Sequence, residues 1–131
     1  MRYALWITSL CTASSLLTAQ APVRRQTDAD AYTRYELLAP GTAKFRIIYE
    51  VTATTTGATY YFNPIRQGSV ATDESVIDRA SGNPLPFDVV GAAAARDGGV
   101  RGDSLQTYIR VTLAHPVPAA DGEQRILILQ T

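Results

Sequence analysis

From Tyr32 onward the apolar residues of this chain recur with a period of two, and no stretch carries a convincing helical stripe. Residues 44–52 show it most clearly. Phe45, Ile47, Tyr49 and Val51 fall on one side, and Lys44, Arg46, Glu50 and Thr52 on the other, with only Ile48 out of step. Successive side chains of a strand point to opposite faces, so this is a half-buried antiparallel strand. Residues 106–113 repeat the pattern, with Ile109, Val111 and Leu113 inward and Tyr108, Arg110 and Thr112 outward. Residues 85–89 repeat it again. Pro86 cannot donate to a ladder, which places that strand at an edge or makes Pro86 its start.

Shorter strands fill the gaps. Residues 32–38 end at the turn signal Ala39-Pro40-Gly41-Thr42, and residues 59–62 stop at Asn63-Pro64. Residues 75–78 lead through Ser81-Gly82-Asn83-Pro84 into Leu85, a hairpin by composition. Residues 123–130 carry Ile126-Leu127-Ile128-Leu129 in a row, which reads as a strand covered on both faces. About seven short strands at this spacing predict an all-β antiparallel β-sandwich over residues 32–131. Ala92 to Ala95 have helix propensity but make too short a run to stand alone. Gly91 and Gly98-Gly99 flank them, so residues 91–104 are expected to form a long mobile loop. The apolar last strand allows two readings: a terminal strand paired inside a sheet, or the N-terminal part of a longer protein. The second is the expectation.

The front end has a different character. Arg2 precedes an apolar stretch running to Leu17, and the small residues Thr18-Ala19-Gln20-Ala21 follow. That order predicts a secretory signal peptide over residues 1–19. The stretch is shorter than the roughly 20 apolar residues of a membrane-spanning helix. Cutting after Ala19 suits the peptidase better than cutting after Ala21, where Pro22 would follow the cleaved bond. Cys11 is preceded by Leu10, not by the small residue that a lipid-attachment motif wants. Residues 20–31, with Arg24-Arg25, read as a solvated linker. The expected location is periplasmic or secreted, with no stable membrane span after cleavage. The single Cys, Trp and Met all lie in the discarded piece, so no disulfide can form and packing alone must supply stability. The 12 basic and 12 acidic residues cancel, and no basic face marks a nucleic-acid binder.

Catalytic motifs are missing. The sequence holds no H-E-x-x-H, no G-x-S-x-G, no Walker loop and no dinucleotide fingerprint. His115, before Pro116, reads as a surface turn residue with no base or metal partner in sequence. Asp73, Glu74 and Asp78 form the densest acidic group and read as a solvated hairpin edge; calcium would need Asp97 or Asp103 to fold over them. Arg101-Gly102-Asp103-Ser104 spells a cell-adhesion string, which arises easily by chance in such a loop. Tyr32, Tyr35, Tyr49, Tyr60, Tyr61 and Tyr108, with Phe62, are first of all core or cross-strand residues. By alternation Tyr61 and Tyr108 face outward, which makes them the candidate ligand contacts. No catalytic, cofactor or metal residue is assigned.

One order of segments resembles a known family. It runs from residues 44–52 through Tyr60-Tyr61-Phe62-Asn63-Pro64 to Val76-Ile77-Asp78-Arg79-Ala80-Ser81-Gly82-Asn83-Pro84-Leu85-Pro86-Phe87. Tyr108-Ile109-Arg110-Val111-Thr112-Leu113 and Arg125-Ile126-Leu127-Ile128 complete it. This resembles the N-terminal β-sandwich domain of zinc aminopeptidases of the aminopeptidase N type, and also the first domain of uncharacterised exported bacterial proteins. The zinc-binding helix of those peptidases lies in a later domain, so the resemblance carries no catalytic residue or cofactor onto this chain. The expected function is a non-catalytic exported accessory module, whose partner is a following domain of the same polypeptide or another exported protein. The alternative is a stand-alone periplasmic domain that binds a glycan or peptide through Tyr61, Tyr108 or the 91–104 loop.

Overall fold

The computed structural model describes residues 23–119 and 124–131. The expected signal peptide, with Trp6 and Cys11, lies outside the described residues. In chain order the elements are β1 (Asp28–Leu37), β2 (Phe45–Ala53), β3 (Tyr60–Ile65), β4 (Ser75–Asp78), β5 (Phe87–Gly91), α1 (Ala92–Asp97), β6 (Thr107–Thr112) and β7 (Gln124–Gln130). They form a four-stranded sheet, β1-β2-β7-β4, and a three-stranded sheet, β3-β6-β5. Every pairing is antiparallel. The protein is an all-β antiparallel sandwich.

The alternation seen in the sequence becomes the core. Val51 lies opposite Ile126 and Tyr49 opposite Ile128 on the four-stranded sheet. Tyr61 lies opposite Val111 and Asn63 opposite Ile109 on the three-stranded sheet. Val51, Tyr61, Val76, Ile109, Val111, Ile126 and Ile128 meet between the sheets. β7 is paired on both sides, by β2 and β4, and backbone bonds of 2.8 Å in both directions between Thr72 and Thr131 prolong the ladder. β5 begins directly after Pro86 and forms an edge, as Pro86 requires.

Three local expectations change. Residues 91–104 do not open as a mobile loop but as α1. Ala92 and Ala95 are buried with Phe62 and Tyr108 in a second, smaller cluster. A helix this short has no stability of its own; docking two small side chains on two aromatic rings supplies it. β3 does not stop at Asn63-Pro64 but runs through Pro64 to Ile65. Leu113 N–H bonds Thr59 O, which sets the parity: Tyr61 and Asn63 turn their backbone groups toward β6, whereas Phe62 and Pro64 turn theirs to the edge. The missing N–H of Pro64 therefore interrupts nothing. Finally, the linker expected over residues 20–31 ends early. β1 starts at Asp28. The backbone N–H of Gln26 donates to Gly99 O at 3.2 Å, and the N–H of Thr27 donates to Thr55 Oγ1 at 2.6 Å.

Candidate functional site

Tyr61 and Tyr108 do not face solvent. They are 2% and 3% exposed, and they point to opposite faces of the three-stranded sheet. Tyr61 enters the main core. Tyr108 does face away from that core, as alternation implies, but α1 covers that face. Tyr61 shares the core face with Val111 opposite it, so its expected outward side is overturned; for Tyr108 the side holds, and alternation is blind only to the helix that lies over it.

The two tyrosines nevertheless meet at one place. A groove of about 380 Å³ lies beside β3 near Asp28, the first residue of β1, and both tyrosines line it. Asp28, Tyr49, Arg101 and Gln106 line it as well. The Tyr61 hydroxyl donates to Asp28 Oδ2 at 3.0 Å. A tyrosine has one hydroxyl proton, so the 3.1 Å contact between the Tyr49 and Tyr61 oxygens is donated by Tyr49. The relay Tyr49 to Tyr61 to Asp28 thus ends on a carboxylate at the groove and ties the two sheets together. Burial, reinforced by the Tyr49 hydroxyl and by the negative charge of Asp28, holds the Tyr61 hydroxyl far above the usual tyrosine range. Burial also raises Tyr49. Both hydroxyls are therefore neutral hydrogen-bonding groups at neutral pH, unsuited to act as bases.

The far wall comes from residues 100–106. A Cβ at Gly102 would collide with the Tyr108 hydroxyl, so glycine stands in the Arg101-Gly102-Asp103 string because the ring needs the space. Asp103 Oδ1 accepts the Leu105 N–H at 3.0 Å, and Asp103 O accepts the Gln106 N–H at 3.1 Å. The string is thus built into a turn. Gln106 Nε2 donates to the backbone oxygens of Ile65 and Thr107, which pins the wall to β3.

The other sequence candidates stay apart from this groove. Asp78 is buried and holds the 78–83 turn: its carboxylate accepts Ser81 Oγ at 2.5 Å and the N–H groups of Ser81 and Ala80 at 3.2 and 3.3 Å. It is a turn anchor, not part of a solvated acidic edge. Its pKa is lowered, chiefly by the Ser81 hydroxyl. His115 is exposed in the turn after β6, with Nδ1 3.1 Å from Pro116 O. Among the described residues no group of three His, Cys, Asp or Glu side chains could hold a metal, and no helix is long and apolar enough to cross a membrane.

A second opening of about 330 Å³ lies at the other end of the sandwich, lined by Phe45, Ile47, Ile65 and Val70. The buried Gln130 borders it, and its Oε1 finds no hydrogen-bond partner among the described residues.

Asp28, Gln26 and Gln106 escaped the sequence reading. Asp28 is separated from Tyr61 by 33 positions, and no local motif joins them. Its sequence surroundings, Asp28-Ala29-Asp30 within the expected linker, gave no signal. The resemblance to aminopeptidase N-type domains rests on strand patterns alone. No family model, no curated protein and no solved structure matches the chain.

Proposed function

We propose that this chain is a non-catalytic exported β-sandwich module that holds a glycan or a peptide in the Tyr61–Tyr108 groove. One observation carries the reading: Tyr49, Tyr61, Tyr108, Asp28, Arg101 and Gln106, from distant segments of the chain, line one groove, and the Tyr49–Tyr61–Asp28 relay ends there. Such a set suits polar recognition, in which polar groups at the groove fix a ligand's orientation while the buried Tyr61 and Tyr108 rings hold the walls in place. Titration calorimetry against a panel of short glycans and peptides tests it. Saturable binding is expected, weakened about tenfold by Asp28→Asn and by Tyr61→Phe. Silence across the panel from a folded protein sinks the reading.

A second reading is the accessory role, in which a following domain or another exported protein packs on this module. The exposed Val70 beside an opening lined by Phe45, Ile47 and Ile65 favours it. Val70→Asp should then abolish the association and leave groove binding intact.

A further inference from the structure

We propose that the chain forms a symmetric dimer through β1, whose open edge pairs antiparallel with β1 of a second copy. β1 is a 10-residue strand at the sheet edge, exposed along nearly its whole length. Its backbone parity is set at both ends. Leu38 N–H donates to Lys44 O, and Thr54 N–H donates to Thr27 O. With the register of the pair, Tyr32, Arg34 and Glu36 turn their backbone groups toward β2. Thr33, Tyr35 and Leu37 therefore turn theirs outward, to the open edge.

This parity permits one self-complementary arrangement in which both the bonds and the charges match. A twofold axis at Tyr35 places Tyr35 opposite Tyr35 of the second copy, and Thr33 opposite its Leu37. These are the positions with outward N–H and C=O groups, so the ladder closes in both directions. The intervening positions place Arg34 opposite Glu36 of the second copy, as close non-hydrogen-bonded pairs. Within one chain Glu36 already meets Arg34 and, at 3.4 Å, Arg46. In the dimer each Glu36 lies between its own Arg46 and the incoming Arg34, and the signs alternate across the junction. The core-side face matches too. Tyr35 and Leu37 are 64% and 88% exposed, and the Tyr35 ring already leans on Phe45 at 5.8 Å between centroids. Pairing extends that aromatic contact across the axis.

The assembly stops at two. A bulge between Ala29 and Tyr32, with Asp30 at φ 48°, ends the regular stretch of β1. At the opposite edge of the sheet β4 has 4 residues and is bridged by Pro84 at Ile77. An isologous contact of this kind closes on itself.

Analytical ultracentrifugation of the full chain over a micromolar concentration series tests the proposal. The expected result is a reversible monomer–dimer equilibrium. Arg34→Glu alone sets like charges opposite each other across the axis, and so does Glu36→Arg alone. Each should weaken self-association about tenfold or more. An equimolar mixture of the two single variants should recover it as a heterodimer, and so should the double swap. Tyr35→Pro removes only an outward N–H and should leave a folded monomer with a strand-type circular dichroism spectrum. A wild type that is monomeric throughout the series overturns the proposal. So does a mixture that associates no better than either single variant.

Discussion

The two long edge strands, β1 and β3, solve the same problem in opposite ways. Both leave a row of backbone groups turned away from their sheet. At β3 the row is closed at its middle residue, Phe62. The Phe62 N–H donates to Gln26 Oε1 at 2.9 Å, and Gln26 Nε2 donates to Phe62 O at 3.0 Å. One carboxamide thus does what a neighbouring strand would do, and Pro64 contributes no donor. The core covers one face of β3, and on the other Phe62 is buried with the alanines of α1 while Tyr60 and Pro64 stay exposed. At β1 the row is open, the side chains are exposed, and Arg34 and Glu36 stand along it. Stability therefore concentrates in the strands enclosed on every side, and association is left to the margin that nothing encloses.

Four substitutions can break or sharpen this contrast. The largest effect belongs to the enclosed side. Ile109 is fully buried on the central strand of its sheet, and Ile109→Ala should cost about 3 kcal/mol in urea unfolding. Gln26→Ala comes next, at about 2 kcal/mol, because it strips both partners from a part-buried peptide group. Hydrogen exchange at the Phe62 amide should accelerate in the same variant. An unchanged exchange rate would mean that Gln26 is not the seal.

Asp78 carries the comparison to the margin at β4. Its carboxyl ionises more readily folded than unfolded, so its contribution is present above the unfolded value of about 4 and fades as pH falls through the folded one. Asp78→Asn should cost about 1 kcal/mol near neutrality and flatten the acid limb of the stability curve. A mutant that loses stability on acidification as steeply as the wild type would remove Asp78 as its cause. The smallest effect is expected at β1. Leu37→Ala should change the stability of the monomer by less than about 0.5 kcal/mol. A loss comparable to that of Ile109→Ala would show that β1 is part of the core and end the contrast.

Much of this architecture was legible in the residues. All seven strands were readable within a few positions: alternation marked β2, β5 and β6, because a sheet with one buried face must alternate, and turn signals or an apolar run marked the rest. Pro86 correctly marked an edge. Pro64 misled, because a proline halts a strand only where its N–H would have met a neighbour, and that depends on which way the position turns. α1 was illegible for a related reason. Its alanines carry little signal until Phe62 and Tyr108 are in place beneath them.

What the sequence determined by itself was periodicity: a run such as Phe45, Ile47, Tyr49 and Val51 can bury one side only as a strand. What the tertiary structure alone decided was adjacency. It placed Asp28 on Tyr61, Gln26 on Phe62 and the Tyr108 hydroxyl against Gly102, and it left Thr33, Tyr35 and Leu37 facing outward. The period of a strand is set by local sterics and travels with the chain. The partner across a gap is set by how two sheets stack and twist, and no stretch of sequence shorter than the whole domain specifies it.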